Sequence, residues 1–347
     1  MNDRPPVLET RGLTVVYGLR GKGGPWRRPD EFAAVSDVNI SILPGQTLGL
    51  VGESGSGKST TARAICGLVP YQGQILFSGT EASRLGGGAQ AARHRQMIFQ
   101  DPYSSLDPLM TVGELVAEPL RLLEGRSTGQ SERVQALLEA VRLPTTYAAR
   151  LPSELSGGQR QRVAIARALA TEPDMVICDE ALSALDASTQ GEVLAILREL
   201  RDQRGLSYLF IAHDLAVVRH LADQVAVMYL GNVVESGPTE LIFRDPKHPY
   251  TQALLAAAPI PHPRLQRARR GTAMVRGEPP DPSRRPSGCP FHPRCPIAQD
   301  RCKTEFPRRT EALGRRVFCH VNGAGDPAHT RSASPENSGR TQVEGVA

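Results

Sequence analysis

The sequence predicts an α/β chain: a mostly parallel sheet covered by helices on both faces, antiparallel strands at the N-terminus, and a helical insertion in the middle. Three observations carry this. Between residues 157 and 230, short apolar runs alternate with segments of helical period, the pattern that parallel strands and crossover helices produce. The run Met175–Cys178 is wholly apolar, as a strand buried on both faces must be. Residues 111–142 instead place apolar side chains at helical spacing.

In chain order, 7–17 (VLETRGLTVVY) and 32–43 read as strands, joined by a Gly-, Arg- and Pro-rich loop over 18–30. Thr47–Val51 reads as a strand that ends in a glycine-rich turn, and a helix follows over 58–68. Short strands are expected at 73–77 and 96–99, then helices in VGELVAEPLRLL and RVQALLEAVRL. The alternation then gives helix 157–171, strand 174–179, helix 188–203, strand 207–212, helix 214–221 and strand 224–230. Pro- and Arg-rich sequence from about Pro259 marks a boundary. Residues 326–347 are polar and aperiodic and read as a disordered tail.

At 347 residues, with 40% hydrophobic and 22% charged residues, the composition is that of a soluble globular chain. No apolar run reaches the length of a membrane span, and the N-terminus lacks a secretory pattern. A cytoplasmic protein is expected, so any work at a membrane needs another chain to supply the span. The net charge is +5, yet residues 263–320 hold 14 Lys and Arg against 5 Asp and Glu. This basic extension is either a solvated surface or a contact for anionic headgroups. No aromatic interleaving or nucleic-acid module accompanies it, so nucleic acid is not expected as a partner.

Gly52-Glu53-Ser54-Gly55-Ser56-Gly57-Lys58-Ser59 matches G-x-x-x-x-G-K-[ST] between a strand and a helix. Such glycines let backbone N–H groups point inward around phosphate oxygens. Lys58 would reach the β- and γ-phosphates and Ser59 would offer its hydroxyl to Mg²⁺. Gly52, Ser54, Gly55 and Gly57, with Thr60 in the first helical turn, complete the ATP set on this stretch. In Met175–Glu180 two carboxylates follow the buried strand, at the sheet end where ligands bind. Asp179 can hold Mg²⁺ through its water shell, and Glu180 can polarise an attacking water. In Glu154–Ala164, Ser156 can cap a helix that opens on Gly157 and Gly158. Two glycines there are costly, and they leave bare N–H groups facing outward as a second anion site.

These residues resemble the ATP-binding subunits of ABC transporters over about residues 7–325. The resemblance rests on the phosphate loop, LSGGQ at 155–159, the CDE carboxylates at 178–180, SALD at 183–186, and His213 after SYLFIA. It implies an ABC-type nucleotide-binding domain over 1–258, with a helical subdomain at about 101–160. It implies an ATPase in which two such domains pack head to tail. Ser156, Gly157, Gly158 and Gln159 would then close on the partner's γ-phosphate, which would explain the glycine pair. By position, Tyr17 would stack on adenine. Gln100, in MIFQDP, would contact Mg²⁺ and the attacking water, and would relay nucleotide state to the helical subdomain. Asp186 would lie at the dimer seam and His213 would contact the γ-phosphate.

Three further stretches, Gln100–Pro108, His248–Leu255 and Gly288–Pro296, resemble the bacterial oligopeptide/dipeptide importer branch, whose relatives also import nickel, glutathione or other small solutes. Two permease subunits and an extracytoplasmic solute-binding protein are implied partners, at the cytoplasmic face of the inner membrane. A non-transport ABC ATPase is the alternative. Residues 259–325 form the expected extension, with Cys289, Cys295, Cys302 and Cys319 spaced C-x5-C-x6-C-x16-C. Zinc fits this spacing badly, and disulfides do not suit a reducing cytosol. A [4Fe–4S] cluster is the expectation, with zinc and free thiols as the other readings.

Overall fold

The computed structural model describes residues 5–18, 31–86, 89–101, 105–125, 128–257 and 277–323. The strands are β1 (Leu8–Gly18), β2 (Glu31–Val38), β3 (Ser41–Ile42), β4 (Thr47–Val51), β5 (Gln72–Phe77), β6 (Thr80–Glu81), β7 (Arg95–Ile98), β8 (Met175–Asp179), β9 (Ser207–Ile211), β10 (Gln224–Tyr229), β11 (Asn232–Pro238), β12 (Arg309–Ala312) and β13 (Arg315–Phe318). The helices are α1 (Lys58–Ile65), α2 (Ala89–His94), α3 (Val112–Glu124), α4 (Gln130–Ala140), α5 (Gly157–Leu169), α6 (Ala187–Arg204), α7 (Leu215–Leu221), α8 (Thr239–Arg244), α9 (Pro249–Ala257) and α10 (Arg301–Thr304). The expected loop at 18–30 and tail at 326–347 lie almost wholly outside the described residues.

The main sheet has the order β12-β13-β11-β10-β4-β9-β8-β7. Its β10-β4-β9-β8-β7 stretch is parallel, as expected, and β11, β13 and β12 add antiparallel strands at one edge. The central strands lack polar alternation because both faces are covered. On β8, Val176 and Cys178 face one core with Tyr208 and Phe210 of β9. Met175 and Ile177 face the other, with Leu209 and Ile211. The second core is closed by α1 and by the antiparallel sheet β2-β1-β5-β6. The first takes in α3, α4 and α5, so the helical insertion shares a core with the sheet. The Thr111 side chain accepts the Glu114 N–H while Glu114 accepts the Thr111 N–H, a reciprocal cap that starts α3.

The expected single strand 32–43 is two. Asp37 adopts φ 50°, and Asn39 turns its side chain to accept the Gly12 N–H at 2.8 Å and to donate to the Asp37 carbonyl at 2.8 Å. These local bonds replace the ladder and break the strand.

Beyond β10 the fold continues past what periodicity indicated. The β12–β13 hairpin joins the main sheet through Val317 opposite Glu235, so the cysteine-bearing segment is built onto the core sheet. Helix α9 begins at Pro249, and His248 Nδ1 accepts the Tyr250 N–H at 3.1 Å. His248 is fully buried, and burial drives its pKa from 6.5 down to about 3. Below pH 6.5 the unfolded chain therefore binds a proton that the folded chain refuses. That part of the stability is complete above pH 6.5 and is lost as pH falls towards 3. Between pH 6.5 and 5 the loss is on the order of 2 kcal/mol. His248→Asn keeps an acceptor for the Tyr250 N–H and cannot titrate. Denaturant unfolding of this variant should be flatter than wild type over that interval, and parallel pH curves would exclude His248 as the cause.

Candidate active site

Four parallel strands deliver the site from one edge. β4 ends in the glycine loop, β9 leads to His213, β8 ends in Asp179 and Glu180, and β7 leads to Gln100. This is the carboxyl end of an open sheet, where α/β folds bind ligands.

Gly52 opens the loop at φ 155°, and a Cβ there would stand 2.1 Å from the Met228 carbonyl oxygen. No other residue fits that turn. Gly57 caps α1, and Ser54 and Gly55 lie exposed at the loop's crest. Lys58 is 5% exposed, with Nζ donating to the carbonyls of Gly52 and Glu53 at 2.9 Å each and to Ser56 Oγ at 3.4 Å. Burial lowers its pKa, and the carboxylates of Glu180, Asp179 and Glu53 oppose the shift. Ser59 Oγ donates to Asp179 Oδ1 at 2.8 Å, and burial raises the Asp179 carboxyl's pKa against that bond. A hydroxyl and a carboxylate converging beside a lysine make the oxygen donor set that a hard cation prefers, so the site fits Mg²⁺. Thr60 follows, half-buried, in the first turn of α1.

Glu180 is held in an unusual backbone state, φ 47°, with its N–H donating to the Ile211 carbonyl at 3.0 Å. Its Oε2 accepts from Gln100 Nε2 at 2.9 Å and lies 3.8 Å from His213 Nδ1. Three residues far apart in sequence thus meet at one carboxylate, with His213 and Gln100 exposed towards the open side. Tyr17, half-buried on β1, sets its ring 5.9 Å from that of Phe32.

The opening of α5 is a second, separate group. Ser156 Oγ accepts the Gln159 N–H at 3.3 Å, and Gln159 Oε1 accepts the Ser156 N–H at 2.9 Å. This capping box spends the Gln159 side chain on its own helix. The two glycines have different reasons. A Cβ on Gly158 would stand 2.2 Å from Thr189 Cγ2 of α6, so its bareness serves packing within the chain. On Gly157 it would only touch Leu185 Cδ2 at 3.8 Å, and that face is the open one. Asp186 caps α6, accepting from the N–H groups of Ser188 and Thr189 and from the Thr189 hydroxyl; bonds from Ser188 and Thr189 hold its carboxyl well below the usual range.

The four C-terminal cysteines lie near enough for their sulfurs to influence one another. None of the described cysteines is in a disulfide. Cys289 and Cys302 are buried in the main core, with the Cys289 N–H on the Cys302 carbonyl at 2.8 Å. Backbone N–H groups of Gln299 and Asn322 approach the sulfurs of Cys302 and Cys319 at 3.4 Å. Burial, reinforced by the neighbouring sulfurs, pushes Cys289 up to about 12 and raises Cys295 and Cys319. Among the described residues no three His, Cys, Asp or Glu side chains are placed to hold a metal ion. The expected [4Fe–4S] cluster therefore finds no support in how these four side chains are placed, Cys289 and Cys302 buried and Cys295 and Cys319 half-buried.

Two further residues at the site carry no signal of their role in the sequence. Tyr250 Oη accepts the Glu53 N–H at 2.8 Å, and Arg294 binds the Glu53 carboxylate at 2.9 and 3.2 Å. Both belong to stretches whose sequence signals only the branch they resemble, since sequence distance hides a contact spanning 241 positions.

Comparison with known proteins agrees with this geometry. Residues 35–183 match the ABC transporter family, and residues 234–302 match the oligopeptide/dipeptide transporter C-terminal region. A probable peptide ABC transporter ATP-binding protein of Sinorhizobium fredii is 48% identical over 85% of this chain and 84% of its own. The oligopeptide transport ATP-binding protein OppF of Salmonella typhimurium is 45% identical over 92% of this chain and 97% of its own. Among solved structures, the dimeric ATP-binding cassette MJ0796 bound to ADP and Pi superposes with a TM-score of 0.58 at 28% identity, over 67% of this chain and 98% of that one. With its phosphate loop, carboxylates and capped glycine helix on one such scaffold, the chain belongs to the ATP-hydrolysing subunits of the ABC transporter family, in the branch that carries the oligopeptide/dipeptide transporter C-terminal region.

Proposed function

We propose that this ATPase powers uptake of di- and oligopeptides through a membrane importer, as one of two cassettes packed head to tail beneath two permease subunits. It would act at the cytoplasmic face of the inner membrane, with a solute-binding protein outside selecting cargo. The relatives named for peptide transport support the cargo class. No helix among the described residues is long and apolar enough to cross a membrane, which is consistent with a separate permease.

The single observation that carries the coupling is Gln100. Its side chain bonds the Glu180 carboxylate at 2.9 Å. Its chain neighbour Phe99, 44% exposed, lines a cleft of about 480 Å³ with Met97, Leu122, Leu123 and Arg167. That apolar cleft between β7 and the helical subdomain suits a permease segment, so catalytic and docking surfaces are one residue apart.

In the chemistry, Glu180 accepts a proton from the water that attacks the γ-phosphorus, and Gln100 orients that water. The new P–O bond forms as the bond to the β-phosphate oxygen breaks, leaving ADP and phosphate. Lys58 would exchange its present carbonyl partners for phosphate oxygens, and His213 would donate to the γ-phosphate. Mg²⁺ held by Ser59 and Asp179 would neutralise charge on the β- and γ-oxygens. Tyr17 would stack on adenine. The N–H groups around Gly157 would complete the partner's site, and Asp186 would lie at the seam. ATP then favours the closed pair because its γ-phosphate has contacts only there. The C-terminal cysteines take no part in this reading.

Uptake of labelled di- and oligopeptides, with nickel as a control, should fail in cells lacking the gene and return with the wild type but not with Glu180→Gln. Normal peptide uptake in the deletion strain would remove the peptide assignment and leave the ATPase standing.

A further inference from the structure

The C-terminal segment reaches back to the phosphate loop at two points and to β2 at a third. Pro282 Cγ lies 3.8 Å from where a Cβ on Gly55 would stand. The Arg285 guanidinium donates to the Ala33 carbonyl on β2 at 2.5 Å. Arg294, 8% exposed, grips Glu53 with both terminal nitrogens, Nη1 to Oε2 at 2.9 Å and Nη2 to Oε1 at 3.2 Å. The same guanidinium contacts Tyr229 Oη at 3.4 Å and lies beside the Tyr229 and Phe291 rings.

Glu53 occupies a position that the phosphate-loop pattern leaves free, and a carboxylate there is a liability. It sits on the loop that must receive a triphosphate, and its own carbonyl already holds Lys58. Charges of like sign several ångströms apart in a partly buried site repel one another unless one is neutralised. Arg294 supplies that neutralisation in a planar two-pronged bond that also fixes the direction of the carboxylate. Tyr250 pins the Glu53 N–H from the other side.

We propose that Arg294 is a positioning residue for ATP binding: its guanidinium neutralises the Glu53 carboxylate and holds it in place, so that the C-terminal segment sets this chain's affinity for ATP. The inference rests on the ATP reading of the loop and assigns a task to the arginine of Gly288–Pro296.

The test is equilibrium binding of ATP to the full chain, paired with steady-state hydrolysis. Arg294→Met should raise the Kd for ATP about tenfold, the scale of one uncompensated charge near the phosphates. The KM should rise with it, while kcat at saturating ATP changes less than about twofold. Adding Glu53→Gln to that variant should restore the Kd to within about threefold of wild type, since the repelling charge is then gone. An arginine that acted through packing alone, independently of the Glu53 charge, would not be rescued by the second change. Should Arg294→Met fail to fold, Arg294→Lys keeps the charge without the fork, and its expected rise of about threefold should also disappear with Glu53→Gln. Wild-type affinity in Arg294→Met, or a double variant as weak as the single one, overturns the proposal. A wild-type chain that binds no ATP would instead overturn the ATP reading.

Discussion

Glu180→Gln is expected to retain ATP and to lose turnover by about 10²- to 10⁴-fold, the usual contribution of a positioned general base. The substitution keeps the volume and an oxygen that can accept from Gln100, which now donates to Glu180 Oε2 at 2.9 Å. It removes the negative charge and, with it, the capacity to take a proton. The backbone geometry should survive, because the bond from the residue-180 N–H to the Ile211 carbonyl does not involve the side chain. Phosphate release from the purified chain measures the loss. Size-exclusion chromatography in ATP should show the variant shifted towards a dimer, since the contacts made by the γ-phosphate are no longer destroyed. Turnover within about threefold of wild type would exclude Glu180 as the base and direct attention to His213, 3.8 Å away.

Much of this site is legible in the sequence because its parts are local. A glycine loop between a strand and a helix, and carboxylates at the end of an apolar run, follow from short-range chemistry that burial then enforces, as for the wholly buried β4 and β8. The Ser156 cap is equally local, and its partner Gln159 lies three residues on. What the sequence hides depends on distant atoms. Gly158 is bare because Thr189 of another helix crowds it, a reason invisible from the helix itself. The β12–β13 hairpin turns through Leu313 and Gly314, at φ 55° and 71°. A two-residue turn of this kind is normally signalled by Asn or Gly at its first position, and leucine conceals it. Glu235 is likewise a poor sign of a central strand. It is nonetheless fully buried on β11, where burial raises its pKa and the N–H groups of Lys247 and His248 each donate to it at 2.9 Å. The cysteine spacing is ambiguous for the same reason, since spacing alone does not say whether sulfurs face one another or a core.

Phe291→Ala should be the most destabilising single change in the C-terminal segment, by about 3–5 kcal/mol. The ring is fully buried, edge-on to Tyr229 with centroids 5.3 Å apart, and 5.4 and 5.8 Å from the rings of Tyr250 and His248. Such contacts add to the burial term. The truncation leaves a void bounded by the side chains that reach the phosphate loop, Tyr250 through the Glu53 N–H and Arg294 through the Glu53 carboxylate. Phe291→Leu, which fills most of the volume, should cost less than about 1.5 kcal/mol. Urea unfolding of the two variants separates the alternatives. A large loss for alanine and a small one for leucine means that the segment is a continuation of the main core, as the shared cluster of Phe291, Tyr250, Tyr229 and Phe210 requires. Equal and negligible losses would mean that the segment can detach without the core's notice. Its hold on the phosphate loop would then be too weak to matter for ATP.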